Sequence, residues 1–420
     1  MSTYDPVFVE KLKAYLSGAL AQEIELRPFS GDPRQEALKQ LDRICGVAKV
    51  QVEDPLRSQI FGEVIDYLLG YGPLQPLLND PTINEIMVNG SQSVYIERHG
   101  ELFETDVKFE DDNHVLRVID RIIYPLGRRV DSDHPMVDAR LPDGSRVNII
   151  IPPTAVNGPC ITIRKFLQNR MTMPDLIRTG TLTEHMAEFL QACIVARLNV
   201  IVSGPTSSGK TTFLNVLTGY IPGQQRIVTI EDAVELQLQQ RHVIRLETKN
   251  ANSDGSGEVT IRDLVRNALR MRPDRIIVGE VRGGEAMDMI QAMNTGHHGS
   301  ITTVHANSPR DAITRLETLA MMSGLDMPLL AIRRQISAAI NLVIHISRLN
   351  DGARKITHIT EVSGMEGEVA TMQDLFKFEQ TGLGPDGKVM GNLRPTGLRP
   401  MFTPRLEVVG YKLRSEIFTK

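Results

Sequence analysis

The amino-acid sequence predicts an α/β protein built around a parallel sheet, and three observations carry that expectation. Beyond residue 195, β-branched runs at 199–203, 226–230, 275–278, 300–304 and 342–347 alternate with helix-length stretches. Such alternation buries a parallel sheet under helices on both faces. Residues 72–166 instead carry short strand-like runs broken by turn residues, the texture of a small α/β domain, and the first 50 residues read as helical. A chain of 420 residues exceeds what one core holds. The expected division is a helical region at 1–52, a small α/β domain at 53–168, and a sheet domain with C-terminal helices and a turn-rich tail at 169–420.

Asp5-Pro6 is a capping residue followed by proline, and Phe8, Leu12, Tyr15, Leu16 and Leu20 form the stripe of a first helix. After a break at 27–33, a second helix is expected near 36–45. A third opens at Asp54-Pro55, with Ile60, Val64, Ile65, Leu68 and Leu69 on one face. Strands follow at 85–88, 94–98 and 107–109, then a helix at 113–126 and a hairpin turn at 141–146. Residues 167–174 read as a linker, 250–257 as a polar loop, and 381–391 as turn-rich tail. No repeat of solenoid period occurs.

A net charge of −4 and 20 aromatic residues (12 Phe, 8 Tyr, no Trp) give little support to the alternative of a RecA-like DNA translocase, which needs a basic channel and stacking platforms. No apolar run approaches the roughly 18 residues that span a bilayer. The N-terminus lacks a signal-peptide layout. The expected location is therefore cytoplasmic, with membrane contact only peripheral. Cys45, Cys160 and Cys193 are scattered, forming neither a disulfide framework nor a zinc tetrad.

The sharpest motif is GPTSSGKT at 204–211, which satisfies G-x-x-x-x-G-K-[ST] between an expected strand and an expected helix. Gly204, Pro205, Thr206, Ser207, Ser208 and Gly209 form a loop whose backbone N–H groups turn toward phosphates, with Thr211 and Thr212 opening the helix. Lys210 is expected on the β and γ phosphates and the Thr211 hydroxyl on Mg²⁺, making ATP and Mg²⁺ the expected ligands.

Such a loop needs carboxylates to hold metal and orient water. The strand at 275–280 ends in Gly279-Glu280, so the usual metal-side Asp is missing, while Glu280 stands where water activation needs it. TIEDAVE at 229–235 offers Glu231, Asp232 and Glu235 beyond another strand end, as metal or catalytic groups or as caps of the next helix. His297 and His305 flank a further strand, either sensing a γ-phosphate or serving structure. Arg262, Arg266 and Arg270 recur every four residues, as a solvated face or as a contact with a neighbouring subunit.

These segments in this order resemble the secretion ATPase superfamily of type II secretion, type IV pili and type IV secretion. LPDGSRV at 141–147, ITIRK at 161–165, LRMRPD at 269–274 and HANSPRD at 305–311 look like the Tad/CpaF-type pilus assembly ATPases. The resemblance runs from about residue 55 to 363. It implies a RecA-like ATPase domain preceded by a small PAS-like domain, assembled as a homohexamer. It also implies docking on inner-membrane platform proteins at the cytoplasmic face and, through them, work on pilin. By position in the family, Arg140, Arg146 and Arg164 would reach the phosphates, and Arg315 would act between subunits. The four-cysteine zinc insertion of many type II members does not occur here.

Overall fold

The computed structural model describes residues 5–26, 31–50, 52–98, 100–166, 171–249, 251, 255–384 and 387–419. The chain divides into two units, Met1–Asn169 and Arg170–Lys420.

In the first unit, helices α1 (Pro6–Leu26), α2 (Pro33–Ala48) and α3 (Leu56–Leu69) share one apolar cluster. Leu12, Leu16 and Leu20 are buried against Leu41, Cys45, Ile60 and Val64. Asp32 caps α2 by accepting from the Arg34 N–H, with proline at the first helical position. Helix α4 (Gln75–Asn79) leads to strands β1 (Ile83–Asn89), β2 (Val94–Arg98) and β3 (Glu101–Glu104). After α5 (Asp112–Ile123) come β4 (Met136–Arg140), β5 (Arg146–Ile150) and β6 (Cys160–Arg164). The strands form an antiparallel sheet in the order β3-β2-β1-β6-β5-β4. Val115, Val118, Ile119 and Ile122 of α5 pack on its inner face.

The strand expected at 107–109 is absent. Phe109 is buried in a loop whose N–H donates to the Ser91 carbonyl. The strand there is β3, an exposed edge pairing only β2, and with no buried face it shows no alternation to read.

The second unit opens with α6 (Met173–Arg178) and α7 (Glu184–Val195). Next come β7 (Val200–Gly204), α8 (Lys210–Thr218), β8 (Ile227–Glu231), β9 (Val243–Glu247), α9 (Ile261–Ala268), β10 (Arg275–Val278), α10 (Glu285–Asn294) and β11 (Ile301–His305). Helices α11 (Pro309–Met321) and α12 (Leu329–Ala339) precede β12 (Leu342–Arg348), β13 (Arg354–Glu366), β14 (Val369–Leu383), β15 (Val389–Pro395) and α13 (Thr403–Val408). The nine strands lie in the order β15-β14-β13-β12-β7-β11-β10-β8-β9. Neighbours from β12 to β9 are parallel, whereas β13, β14 and β15 add on antiparallel. The sheet is thus mixed rather than wholly parallel. Of the stretch 381–391, expected as turn-rich, residues 381–383 close β14 and 389–391 open β15, while Pro385 and Asp386 lie outside the described residues.

Two apolar cores enclose the parallel part, one built with α7 and α8, the other with α9, α10, α11 and α12. Among the described residues no helix is long and apolar enough to cross a membrane.

Arg275, at the start of β10, is fully buried with no carboxylate bonded to its guanidinium among the described residues. Its Nε donates to Gln225 Oε1 at 2.7 Å, Nη1 to the Gly299 carbonyl at 3.1 Å and Nη2 to the Ile194 carbonyl at 2.7 Å. Burial, with Arg197 adding to it, pulls its pKa down to about 9. A Cβ at Gly299 would collide with this guanidinium, and Gly299 has φ of 82°. Truncation of Arg275 would orphan two buried carbonyls and the half-buried Gln225 oxygen, and would leave a cavity. Arg275→Ala is therefore expected to cost about 3 kcal/mol or more. In a unit this size that lowers the melting temperature by roughly 6–12 °C in a calorimetric scan; an unshifted melt would show that the three acceptors find other donors.

Candidate functional site

Parallel pairing levels the carboxyl ends of the central strands. His305 is opposite Gly204, Thr302 opposite Val278, and Val278 opposite Ile230. The residues just beyond those ends therefore meet along one rim, where open α/β sheets bind ligands.

The loop from Gly204 to Gly209 joins β7 to α8. Gly204 and Gly209 have φ of 159° and 94°. At Gly204 a Cβ would collide with the Ile346 carbonyl oxygen, so only glycine fits there. Ser207 also takes a positive φ, 59°. Gly209 is the N-cap of α8 and offers no side-chain acceptor, leaving the first N–H groups of the helix directed at the loop. The buried Ser208 hydroxyl has no hydrogen-bond partner among the described residues. Glycine turns, an uncapped helix start and an orphaned hydroxyl together make an anion cradle.

Lys210 is buried at the base of the cradle, its ammonium donating to the Pro205 carbonyl at 2.9 Å and lying 3.5 Å from His305 Nδ1. Burial pulls its pKa down, Glu280 opposes that shift, and Arg282 adds to it. His305 Nε2 stands 2.9 Å from Glu280 Oε1, and Arg282 donates to Glu280 Oε2 at 2.6 Å and to Asp232 Oδ2 at 3.2 Å. The imidazole is held below its ordinary pKa by burial first, then by the Lys210 charge, with Arg282 and Arg315 acting the same way against Glu280. With Nδ1 facing the Lys210 ammonium, a neutral His305 would carry its proton on Nε2, although no hydrogen bond joins Nε2 to the Glu280 oxygen 2.9 Å away. Lys210, His305, Glu280, Arg282 and Asp232 thus form one chain of contacts beside the cradle.

The other sequence-nominated groups distribute unevenly. Glu231 is buried, and its Oε2 accepts from the Glu235 and Leu236 N–H groups at 2.8 and 3.0 Å. Through that oxygen it shapes the segment after β8, with Glu235 contributing a backbone N–H to the strut. His297 precedes β11, at the opposite end of the sheet from Gly204 and separated from the loop by a strand of roughly 16 Å. Thr211 is half-buried at the start of α8, Thr206 and Thr212 are exposed, and Pro205 is half-buried. Arg262 and Arg266 both donate through Nε to Asp288 of α10 at 2.8 Å, a clamp between two helices that neither sequence reading anticipates.

Arg315, on α11, is exposed and its charge reaches His305. In the first unit Arg140 pairs across strands with Arg146, and Arg146 with Arg164, so the three arginines form a file across β4, β5 and β6. Like charges opposite one another on a sheet repel.

Two contacts lie outside every motif. Arg354, first residue of β13, donates through Nε to the Ser207 carbonyl at 3.2 Å. Behind the loop, Ser203 Oγ and His345 Nδ1 are 2.9 Å apart, with His345 pulled down to about 4 by burial and by His358. No sequence signal marks either, because both depend on β12 and β13 packing beside β7. Among the described residues no group of three or more His, Cys, Asp or Glu could hold a metal unaided. A cation at Thr211 would need ligand oxygens from the nucleotide as well.

A family model described as type II/IV secretion system protein matches residues 68–381. A Mycobacterium tuberculosis protein provisionally named for conjugal transfer is 37% identical over 308 residues, covering 72% of this chain and 87% of its own. The type IV secretion system protein VirB11 of Brucella suis is 33% identical over 318 residues, covering 69% and 88%. The solved structure of the VirB11 ATPase from that organism, in complex with sulphate, overlays at a TM-score of 0.38 with 32% identity, over 68% of this chain and 91% of that one.

Proposed function

The chain belongs to the type II/IV secretion system protein family, and on that premise we propose that it is an ATP-hydrolysing motor that powers assembly of a Tad-type, type IV-like pilus. The observation that carries the enzymatic part is the cradle with Lys210 at its base and Glu280 beside it, joined through His305. Lys210 binds the β and γ phosphates, together with the backbone N–H groups of the loop and α8. Glu280 orients the attacking water and takes its proton at a carboxylate oxygen. Neutral His305 reports from the γ-phosphate position to both. Magnesium, when bound, neutralises charge on the β and γ phosphates; the Thr211 hydroxyl would hold it directly, with Asp232 and Glu280 acting through water.

In this reading the second unit is a RecA-like domain and the sheet of the first a PAS-like domain, and six chains form the working particle. The file Arg140, Arg146 and Arg164 supplies positive charge to phosphates, and Arg315 acts across subunits. The motor works at the cytoplasmic face of the inner membrane on platform proteins, and through them on pilin. The pilus assignment is supported by the stretches at 141–147, 161–165 and 305–311. A second reading, a type IV secretion ATPase, is favoured by the relative named for type IV secretion.

The test is phosphate release by the purified full chain, with particle mass from light scattering with and without ATP. Turnover confined to a six-chain particle is the expected result; a monomer that releases no phosphate would overturn the motor reading. Deleting the gene from its source separates the two assignments. Loss of surface pili with macromolecular transfer intact supports pilus assembly, and the converse moves the protein to secretion.

A further inference from the structure

We propose that Arg354 is a nucleotide-binding residue, its guanidinium standing over the phosphate loop to meet the phosphate chain of a nucleoside di- or triphosphate. The inference rests on the ATP-site reading and deepens it.

Strands β12 and β13 form a hairpin that rises past the end of β7. His345 is level with Ser203, and the Ile346 carbonyl is pressed against Gly204, so the following residues flank the loop on the side away from Glu280. Arg354 starts the returning strand opposite Arg348. Its Cδ lies 3.2 Å from where a Cβ on Gly209 would stand, and its Nε donates to the Ser207 carbonyl. The side chain therefore crosses the loop over the turn from Ser207 to Gly209. The Ser207 carbonyl anchors the guanidinium at this turn.

The remaining guanidinium donors bond to none of the described residues, and no carboxylate among those residues pairs with Arg354. An exposed, unneutralised guanidinium fixed by its Nε beside an anion cradle has its fork of N–H groups left for the anion. Lys210 approaches that anion from below and Arg354 from the hairpin side, so the two are not redundant. No motif contains Arg354; it reaches the loop only through the antiparallel extension of the sheet.

The experiment is calorimetric titration of the full chain with Mg-ADP at low and high salt, for wild type, Arg354→Gln and Arg354→Lys, alongside melting curves. Arg354→Gln is expected to weaken binding about tenfold and to flatten the salt dependence, because one charge contact is lost. Arg354→Lys keeps the charge without the planar fork and is expected to recover most of the affinity. Wild-type affinity in Arg354→Gln would overturn the inference. So would a loss that lysine does not rescue and that keeps the wild-type salt dependence, since that pattern belongs to a residue that only pins Ser207. Failure of wild type to bind ADP would sink the underlying ATP-site reading and this inference together.

Discussion

Glu280→Gln is expected to slow ATP turnover at least ~100-fold while leaving nucleotide affinity within about threefold of wild type, the usual worth of a positioned base. The exchange keeps the volume and an oxygen that can accept from Arg282, so the rim's geometry persists. What it removes is the capacity to take a proton from water. One Glu280 oxygen accepts from Arg282 at 2.6 Å, and the other lies 2.9 Å from His305 Nε2 without a hydrogen bond among the described residues, so it is left to meet a water. The carboxylate is mostly shielded from solvent. Single-turnover phosphate release with a parallel binding titration separates the two quantities. Turnover within a factor of a few of wild type would place the base elsewhere. Glu231, the nearest alternative by sequence, already has an oxygen committed to two backbone N–H groups.

Lys210→Ala is expected to lose roughly 100-fold or more in affinity for ATP and ADP alike, since truncating one partner of a buried charged contact costs about 3 kcal/mol. The lysine is buried, and the loop and helix donors around it are neutral N–H and hydroxyl groups, so no second ammonium substitutes for it from below. The ammonium bonds the Pro205 carbonyl at 2.9 Å, a contact that the alanine variant also gives up. Stability is expected to change little, because that carbonyl lies in a half-buried stretch open to water. An equilibrium titration returning near-wild-type affinity would remove the loop from the nucleotide site altogether. Comparison with Arg354→Gln ranks the two charges, the lysine having the larger expected effect.

What the sequence disclosed depended on how local the signal was. The loop at 204–211 is legible because glycine, lysine and threonine stand within one strand-loop-helix unit. The meeting of Glu280, Asp232 and His305 with that loop is legible at one remove, because parallel strands bring their carboxyl ends to one rim. His297 lies near His305 along the chain, yet an intervening strand carries the two to opposite rims, a separation that only the strand's length discloses. For Glu231, no pattern says whether a carboxylate at a strand end points outward or folds back on its own backbone.

Strands β13, β14 and β15 were hidden by their composition. Their exposed and half-buried positions carry polar residues, and glycines at 364, 382 and 391 resemble turn signals though they lie inside strands. Arg354 was hidden with them. Arg262 and Arg266 have the spacing of a solvated stripe, and only packing of α10 against α9 supplies Asp288 as their common acceptor.

Strand β14 has a mechanical consequence. At 15 residues it runs about 50 Å, some three times the length of the five-residue strands of the core. One end, with β15, is tied to the hairpin beside the phosphate loop through the Val389 N–H bond to Asp351 at 2.8 Å. The other end turns at Gly367, past the opposite rim, where Arg333 of α12 donates to the Glu368 carbonyl. β14 is therefore paired along nearly its whole length, to β13 from Val369 to Lys377 and to β15 from Phe376 to Leu383. A strand paired on that scale braces the two rims of the sheet against each other through backbone hydrogen bonds rather than through side chains alone.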